Sequence, residues 1–147
     1  TGFPSETESE FKELLDFMEE VKFERLGAFI YSREEDTAAY DFKKQIPEKA
    51  KRERLDIIMS RQQEIARKIN SRLLGSTIEV LIEEEEAGPG LADSQRCRAY
   101  LGRSQYDAPE VDGAVYVNSS RKLKPGDFVK VKVTDTLEYD LVGEVQP

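Results

Sequence analysis

Residues Phe128-Val129-Lys130-Val131-Lys132-Val133-Thr134 alternate apolar and polar side chains. Two is the period of a β-strand, whose successive side chains point to opposite faces. Pro125-Gly126-Asp127, just before it, has the composition of a tight turn. Working outward, four more short runs have strand character: Thr77–Ile82, Arg96-Cys97-Arg98-Ala99-Tyr100, Gly113-Ala114-Val115-Tyr116-Val117 and Leu141-Val142-Gly143-Glu144-Val145. Glu83 to Glu86 and Gly88-Pro89-Gly90 read as a charged turn region. Five short strands over about seventy residues predict a small closed barrel of the OB-like kind.

Before Gly75 the period becomes helical. Thr7-Glu8-Ser9-Glu10 reads as a capping box opening a helix from about Glu8 to Lys22. Phe11, Leu14, Leu15, Met18 and Val21 line one face of it. Arg25 to Tyr31 is short, apolar and aromatic-ended, which predicts a buried strand. A loop from Ser32 to Thr37 follows. A long second helix is bracketed by Pro47, suited to a first turn, and Gly75, suited to the position after the end. Leu55, Ile58, Met59, Gln62, Ile65, Ala66, Ile69 and Leu73 form its largely apolar stripe, opposite a face of Lys, Arg and Glu. The predicted fold class is an α/β segment with a long linking helix, then an all-β five-stranded OB-like barrel. The predicted domains are residues 1–74 and 75–147.

Composition narrows the chemistry. The 147 residues carry 30 acids and 22 bases, a formal charge of -8. That disfavours a general charge-driven nucleic-acid binder. Residues 75–147 hold 14 acids and 8 bases, so the imbalance concentrates there. Histidine is absent, which removes histidine triads, bases and metal sites. Cys97 is the one cysteine, so neither an intrachain disulfide nor a cysteine cage for zinc or iron–sulfur can form. A lone thiol fits a reducing cytoplasm. Between Arg96 and Arg98 it has cations that lower a thiol pKa, and in an alternating strand it reads as a buried structural thiol. No apolar run approaches the ~18 residues of a spanning helix, and the acidic start is unlike a signal peptide.

A strand, a sharp Gly-Pro loop and a capped helix make the βα unit of an α/β barrel, whose loops after the strands hold ligands. Gly2-Phe3-Pro4-Ser5-Glu6-Thr7 occupies such a loop. The N–H groups at the helix start favour a polar or anionic group, and a plain capping turn accounts for the same residues. Tyr31-Ser32 ends the next predicted strand on the same rim; Tyr31 alone also suits a packed aromatic.

These residues, with Tyr31-Ser32-Arg33-Glu34-Glu35-Asp36-Thr37-Ala38 and Gln62-Gln63-Glu64-Ile65, resemble the end of a radical-SAM methylthiotransferase. In that family a GFPGET loop follows the fifth barrel strand, a YSxExGTPA-like segment follows the sixth, and a QQ-containing helix leads to an OB-like TRAM domain. Gly102-Arg103-Ser104-Gln105-Tyr106-Asp107-Ala108-Pro109-Glu110-Val111-Asp112-Gly113 is similar to the TRAM signature of the RimO type, which methylthiolates an aspartate of the twelfth small-subunit ribosomal protein. Phe128–Val131 and Glu138–Gly143 fit the end of that module. Ser5 and Asp36 stand where the family usually has Gly, and Ala38 where Pro is common. Ser5 is expected to alter a turn for which Gly is suited, whereas Asp36 tolerates a left-handed backbone.

The resemblance implies the last βα units of a partial TIM-type radical-SAM barrel, with Gly2, Phe3, Pro4, Glu6, Tyr31 and Ser32 as candidates for holding S-adenosylmethionine. It implies 4Fe-4S clusters bound by a CxxxCxxC motif and a further domain, neither present here, so this chain by itself is expected to be inactive. In the family a deoxyadenosyl radical takes hydrogen from the aspartate β-carbon before sulfur and methyl are installed. The acidic second half suits a basic ribosomal protein, with Arg103, Tyr106, Asp107, Glu110 and Asp112 as candidate substrate contacts. A monomer in the cytoplasm is expected, without a membrane. The alternatives are a fragment of a tRNA-modifying relative and a non-catalytic RNA-binding or adaptor module, using Arg96, Arg98, Arg103, Lys130 and Lys132 as a basic patch.

Overall fold

A computed structural model describes residues 1–86, 98–109 and 111–146. The chain divides into two compact units, Thr1–Ala66 and Arg67–Pro147.

The first unit is built on α1 (Glu8–Val21) and most of α2 (Glu48–Asn70). Thr7 caps α1: its hydroxyl accepts the Glu10 N–H while the Glu10 carboxylate accepts the Thr7 N–H at 2.7 Å. Lys22 ends the helix in a left-handed conformation, donating to the Met18 carbonyl. Phe11 and Met18 of α1 and Ile58, Ile65 and Ala66 of α2 are buried, as the helical period requires. Arg61 reaches Glu19 at 2.8 Å, and the fully buried Gln62 donates its amide to the Phe23 carbonyl at 2.8 Å. The first glutamine of the pair at 62–63 thus anchors the chain leaving α1.

Two expectations for this unit need correction. Arg25–Tyr31 is not a buried strand: Phe29 is 85% exposed, and no ladder forms among the described residues. Its pairing is one residue deep, because Thr1 donates to the Phe29 carbonyl at 2.7 Å and accepts the Tyr31 N–H at 2.8 Å. Bonds from one residue to positions either side of Ile30 follow the parallel pattern, which needs a longer partner to become a strand. The polar face of α2 is also not wholly solvated, since Lys51 and Arg54 are buried. Pro47 stands just ahead of α2, its carbonyl accepting the Lys51 N–H.

The second unit opens with the last residues of α2, a 3-10 turn at Ser71–Leu73 and Gly75, which adopts φ 79°. It contains β1 (Thr77–Glu86), β2 (Arg98–Ser104), β3 (Val115–Ser119), β4 (Phe128–Thr136) and β5 (Leu141–Val145), closed as a barrel in the order β1-β2-β3-β5-β4. All pairs are antiparallel except β3 with β5. The inward residues Val80, Ile82, Tyr100, Val115, Val117, Val129, Val131, Val133 and Leu141 fill the interior with Leu123. The Tyr100 hydroxyl accepts the buried Leu123 N–H at 3.0 Å. Strand bounds differ from expectation in one informative place. Glu83 to Glu86 continue β1 instead of turning, because after an irregularity between Ile82 and Glu84 they pair with Leu101, Tyr100 and Ala99 of β2. β2 and β3 also reach Ser104 and Ser119, whereas Arg96 and Cys97 lie outside the described residues.

Candidate functional site

The rim of the first unit is assembled by its own carboxylates and cations. Gly2 has φ 77° and is buried, and a side chain there would come within 2.5 Å of the Lys51 Cγ. The Gly2 N–H donates to the Glu6 carboxylate, folding the loop over Pro4, which is also buried. Phe3 remains 49% exposed, packed edge-to-face on Tyr31 at 5.2 Å and on Phe42 at 5.9 Å. The Ser32 hydroxyl donates to Glu34 at 2.6 Å. Of the six rim candidates, five are thus linked: Gly2 to Glu6 directly, Phe3 to Tyr31 through their rings, and Pro4 as the residue between. Ser32 is adjacent in sequence but turns to Glu34.

Lys51 and Arg54, absent from the expected site, hold this loop in place. Arg54 Nη1 donates to the Glu6 carboxylate at 2.8 Å, Nη2 donates to the Glu8 carboxylate, and the guanidinium lies 5.2 Å from the Phe11 ring centre. The Glu8 bond raises the Arg54 pKa most, burial opposes it, and Glu6 raises it further. Lys51 Nζ donates to the Tyr31 carbonyl at 2.8 Å. Helical spacing alone could not reveal them, because Lys and Arg on a polar face ordinarily remain in water.

Ser5 adopts φ 75° and Asp36 φ 62°. Both positions therefore keep the left-handed backbone that glycine would supply, so the expectation that Ser5 alters its turn is corrected, while Asp36 preserves its own. Serine tolerates the strain because its side chain is exposed and its N–H is tied to the Lys44 carbonyl at 2.8 Å.

For S-adenosylmethionine, the chemistry of the rim fits one edge of a nucleoside. Phe3 offers a partly open ring, and the buried Tyr31 hydroxyl has no hydrogen-bond partner among the described residues. Iron–sulfur clusters do not fit this chain: it has one cysteine and no histidine, and no group of three His, Cys, Asp or Glu side chains able to hold a metal occurs among the described residues.

In the second unit the segment 102–113 is largely occupied with its own folding. Asp107 is buried, and its carboxylate accepts the Ser104 hydroxyl at 2.6 Å and the Ser104 N–H at 3.3 Å. Asp112 accepts the Ala108 N–H at 2.8 Å. A side chain at Gly113 would run into the Tyr139 carbonyl, and Asp140 accepts the Ala114 N–H at 2.8 Å. Gly113 and Ala114 are thus packed against Tyr139 and Asp140. Glu110 lies outside the described residues. Tyr106 is exposed.

Between this segment and β1–β2 runs an open groove of about 540 Å³, bounded by Glu83, Glu84, Leu101, Arg103, Ala108 and Asp112. Among the described residues that bound it, three acids face one base, and that base is already paired, Arg103 Nε to Glu83 at 2.7 Å. The groove therefore presents negative charge. Of the bases in the alternative patch, Lys130 stands opposite Glu79 and Lys132 opposite Glu144, while Arg96 lies outside the described residues. Opposite charges across a sheet compensate each other.

A five-stranded closed barrel of this order, carrying this segment, defines a TRAM domain, and residues 74–145 match the TRAM domain family. Over 98% of its length the chain matches the C-terminal part of proteins named ribosomal protein uS12 methylthiotransferase RimO. It is 52% identical over 144 residues to the ribosomal protein uS12 methylthiotransferase RimO of Desulforamulus reducens, covering 98% of this chain and 31% of that protein. The protein of the same name from Clostridioides difficile is 50% identical over 144 residues, covering 98% and 30%. That from Petrotoga mobilis is 44% identical over 146 residues, covering 98% and 31%. The chain thus spans about a third of the length of these relatives. Among the described residues no helix is long and apolar enough to cross a membrane.

Proposed function

We propose that this chain is part of a cytoplasmic, monomeric methylthiotransferase that modifies an aspartate of the twelfth small-subunit ribosomal protein. Residues 75–147 dock that basic protein and residues 1–74 contribute one side of the S-adenosylmethionine site. The negative groove beside β1 and β2 is the observation that carries the docking role. Its acids, Glu83, Glu84 and Asp112, attract a cationic segment and fix its register, with Tyr106 available for an aromatic or cation–π contact. The cation-sharing loop at Gly2–Thr7 presents Phe3 and the Tyr31 hydroxyl to the nucleoside. When bound in the full-length protein, S-adenosylmethionine and the clusters supply the radical and methyl-transfer chemistry, while these side chains bind, orient and exclude water. The chain alone, with a single cysteine, is inactive in this reading.

Binding separates the substrates. The chain is expected to bind the ribosomal protein in a salt-sensitive manner and more tightly than tRNA, and Glu83→Gln with Glu84→Gln is expected to weaken the protein complex. Equal or tighter binding of tRNA at physiological salt would overturn the assignment. Supporting it, Lys130 and Lys132 of the alternative patch each stand opposite an acid, so those two lysines would displace few phosphate counterions.

A further inference from the structure

Lys51 and Arg54 lie one turn apart on α2, and each is only 6% exposed. A cation withdrawn from water is destabilising unless its partners are well placed, so an apolar residue would serve packing better. Ile58 and Ile65 fill that role further along the same helix. What the two cations do instead is fix particular backbone positions. Arg54 Nη1 bonds both the Glu6 carboxylate at 2.8 Å and the Glu6 carbonyl at 3.3 Å, and its second arm takes Glu8. Glu6 in turn accepts the Gly2 N–H. Lys51 ties down the Tyr31 carbonyl, its ammonium lies 5.2 Å from the Tyr31 ring centre, and its methylenes fill the space beside Gly2. One helix thus holds the loop and the aromatic segment together.

We propose that Lys51 and Arg54 are positioning residues for S-adenosylmethionine, setting the mutual placement of Phe3 and the Tyr31 hydroxyl through Glu6 and the Tyr31 carbonyl. This rests on the rim assigned above, and the test separates the two. In the full-length protein, the S-adenosylmethionine dissociation constant is measured by equilibrium dialysis, together with hydrogen exchange over residues 1–8 and the thermal midpoint. Arg54→Gln is expected to weaken binding about tenfold, the consequence of leaving the part-buried Glu6 carboxylate and carbonyl without their fork. It is also expected to speed exchange in the loop. Arg54→Lys recovers part of the affinity, because one ammonium cannot span Glu6 and Glu8. Lys51→Met keeps the packing against Gly2, removes the bond to Tyr31, and is expected to weaken binding as well. It decides the matter should Arg54→Gln fail to fold. Arg61→Gln breaks the bond to Glu19 between the same two helices and is expected to leave affinity unchanged. Phe3→Ala tests the rim itself. Weakened binding in Phe3→Ala with Arg54→Gln and Lys51→Met both within about twofold of the unaltered protein, a change below ~0.5 kcal/mol, overturns the positioning role. Unchanged binding in Phe3→Ala as well overturns the rim. Equal weakening by Arg61→Gln reduces the effect to general destabilisation and also overturns the proposal.

Discussion

Replacing Ser5 and Asp36 by glycine separates two kinds of left-handed residue on one rim. Both have positive φ, 75° and 62°, and both side chains are exposed, so the substitution removes little packing. Holding a residue with a Cβ in this region costs about 1–2 kcal/mol. Glycine relieves that strain but adds about 0.5–1 kcal/mol of unfolded-chain entropy. For Ser5→Gly the balance is a gain of about 0.5–1 kcal/mol. For Asp36→Gly it is about zero, because aspartate tolerates the left-handed region through local hydrogen bonding. Urea unfolding of the chain, followed by far-ultraviolet circular dichroism at the helical band, reads the first unit, which holds α1 and most of α2. A loss of stability in Ser5→Gly, or equal gains in both variants, would refute the strain argument.

Two other outcomes follow from single contacts. Tyr100→Phe leaves the buried Leu123 N–H without its acceptor and should cost the barrel about 1–3 kcal/mol, or about 4–8 °C in midpoint per kcal/mol; an unchanged midpoint would show that this N–H finds another acceptor. The Glu10 carboxylate is held below its ordinary 4.5 by the Thr7 N–H first and the Thr7 hydroxyl second. With the folded value below the unfolded one, the capping box contributes fully above pH 4.5 and loses its contribution as pH falls through the folded value. A carboxyl titration of Glu10 by NMR with its midpoint at or above 4.5 would contradict the cap.

What could be read from the sequence was what periodicity controls. Phe128–Thr134 alternates because its valines enter a barrel and its lysines leave it, and β5 begins and ends at the expected residues. Thr7 and Glu10 form the expected capping box, since that pattern is completed within four residues. Features set by distant partners were harder to read. Glu83 to Glu86 look like a turn until β2 is alongside to pair with them. Lys51 and Arg54 look solvated until the carboxylates of Glu6 and Glu8 and the Tyr31 carbonyl come within reach. Asp107, a candidate partner contact by sign of charge, is a buried anchor for Ser104. Arg103 and Asp112 do border the groove, but its other acids, Glu83 and Glu84, come from a segment whose strand character was hidden.

The place of β5 in the ring has a practical bearing. It lies between β3 and β4, parallel to one and antiparallel to the other, and among the described residues no other strand joins that side of the barrel. Trimming Leu141–Val145 would therefore do more than shorten a tail: it would split a continuous hoop and bare two lengths of backbone that other molecules could extend, turning a self-limited fold into a seed for aggregation.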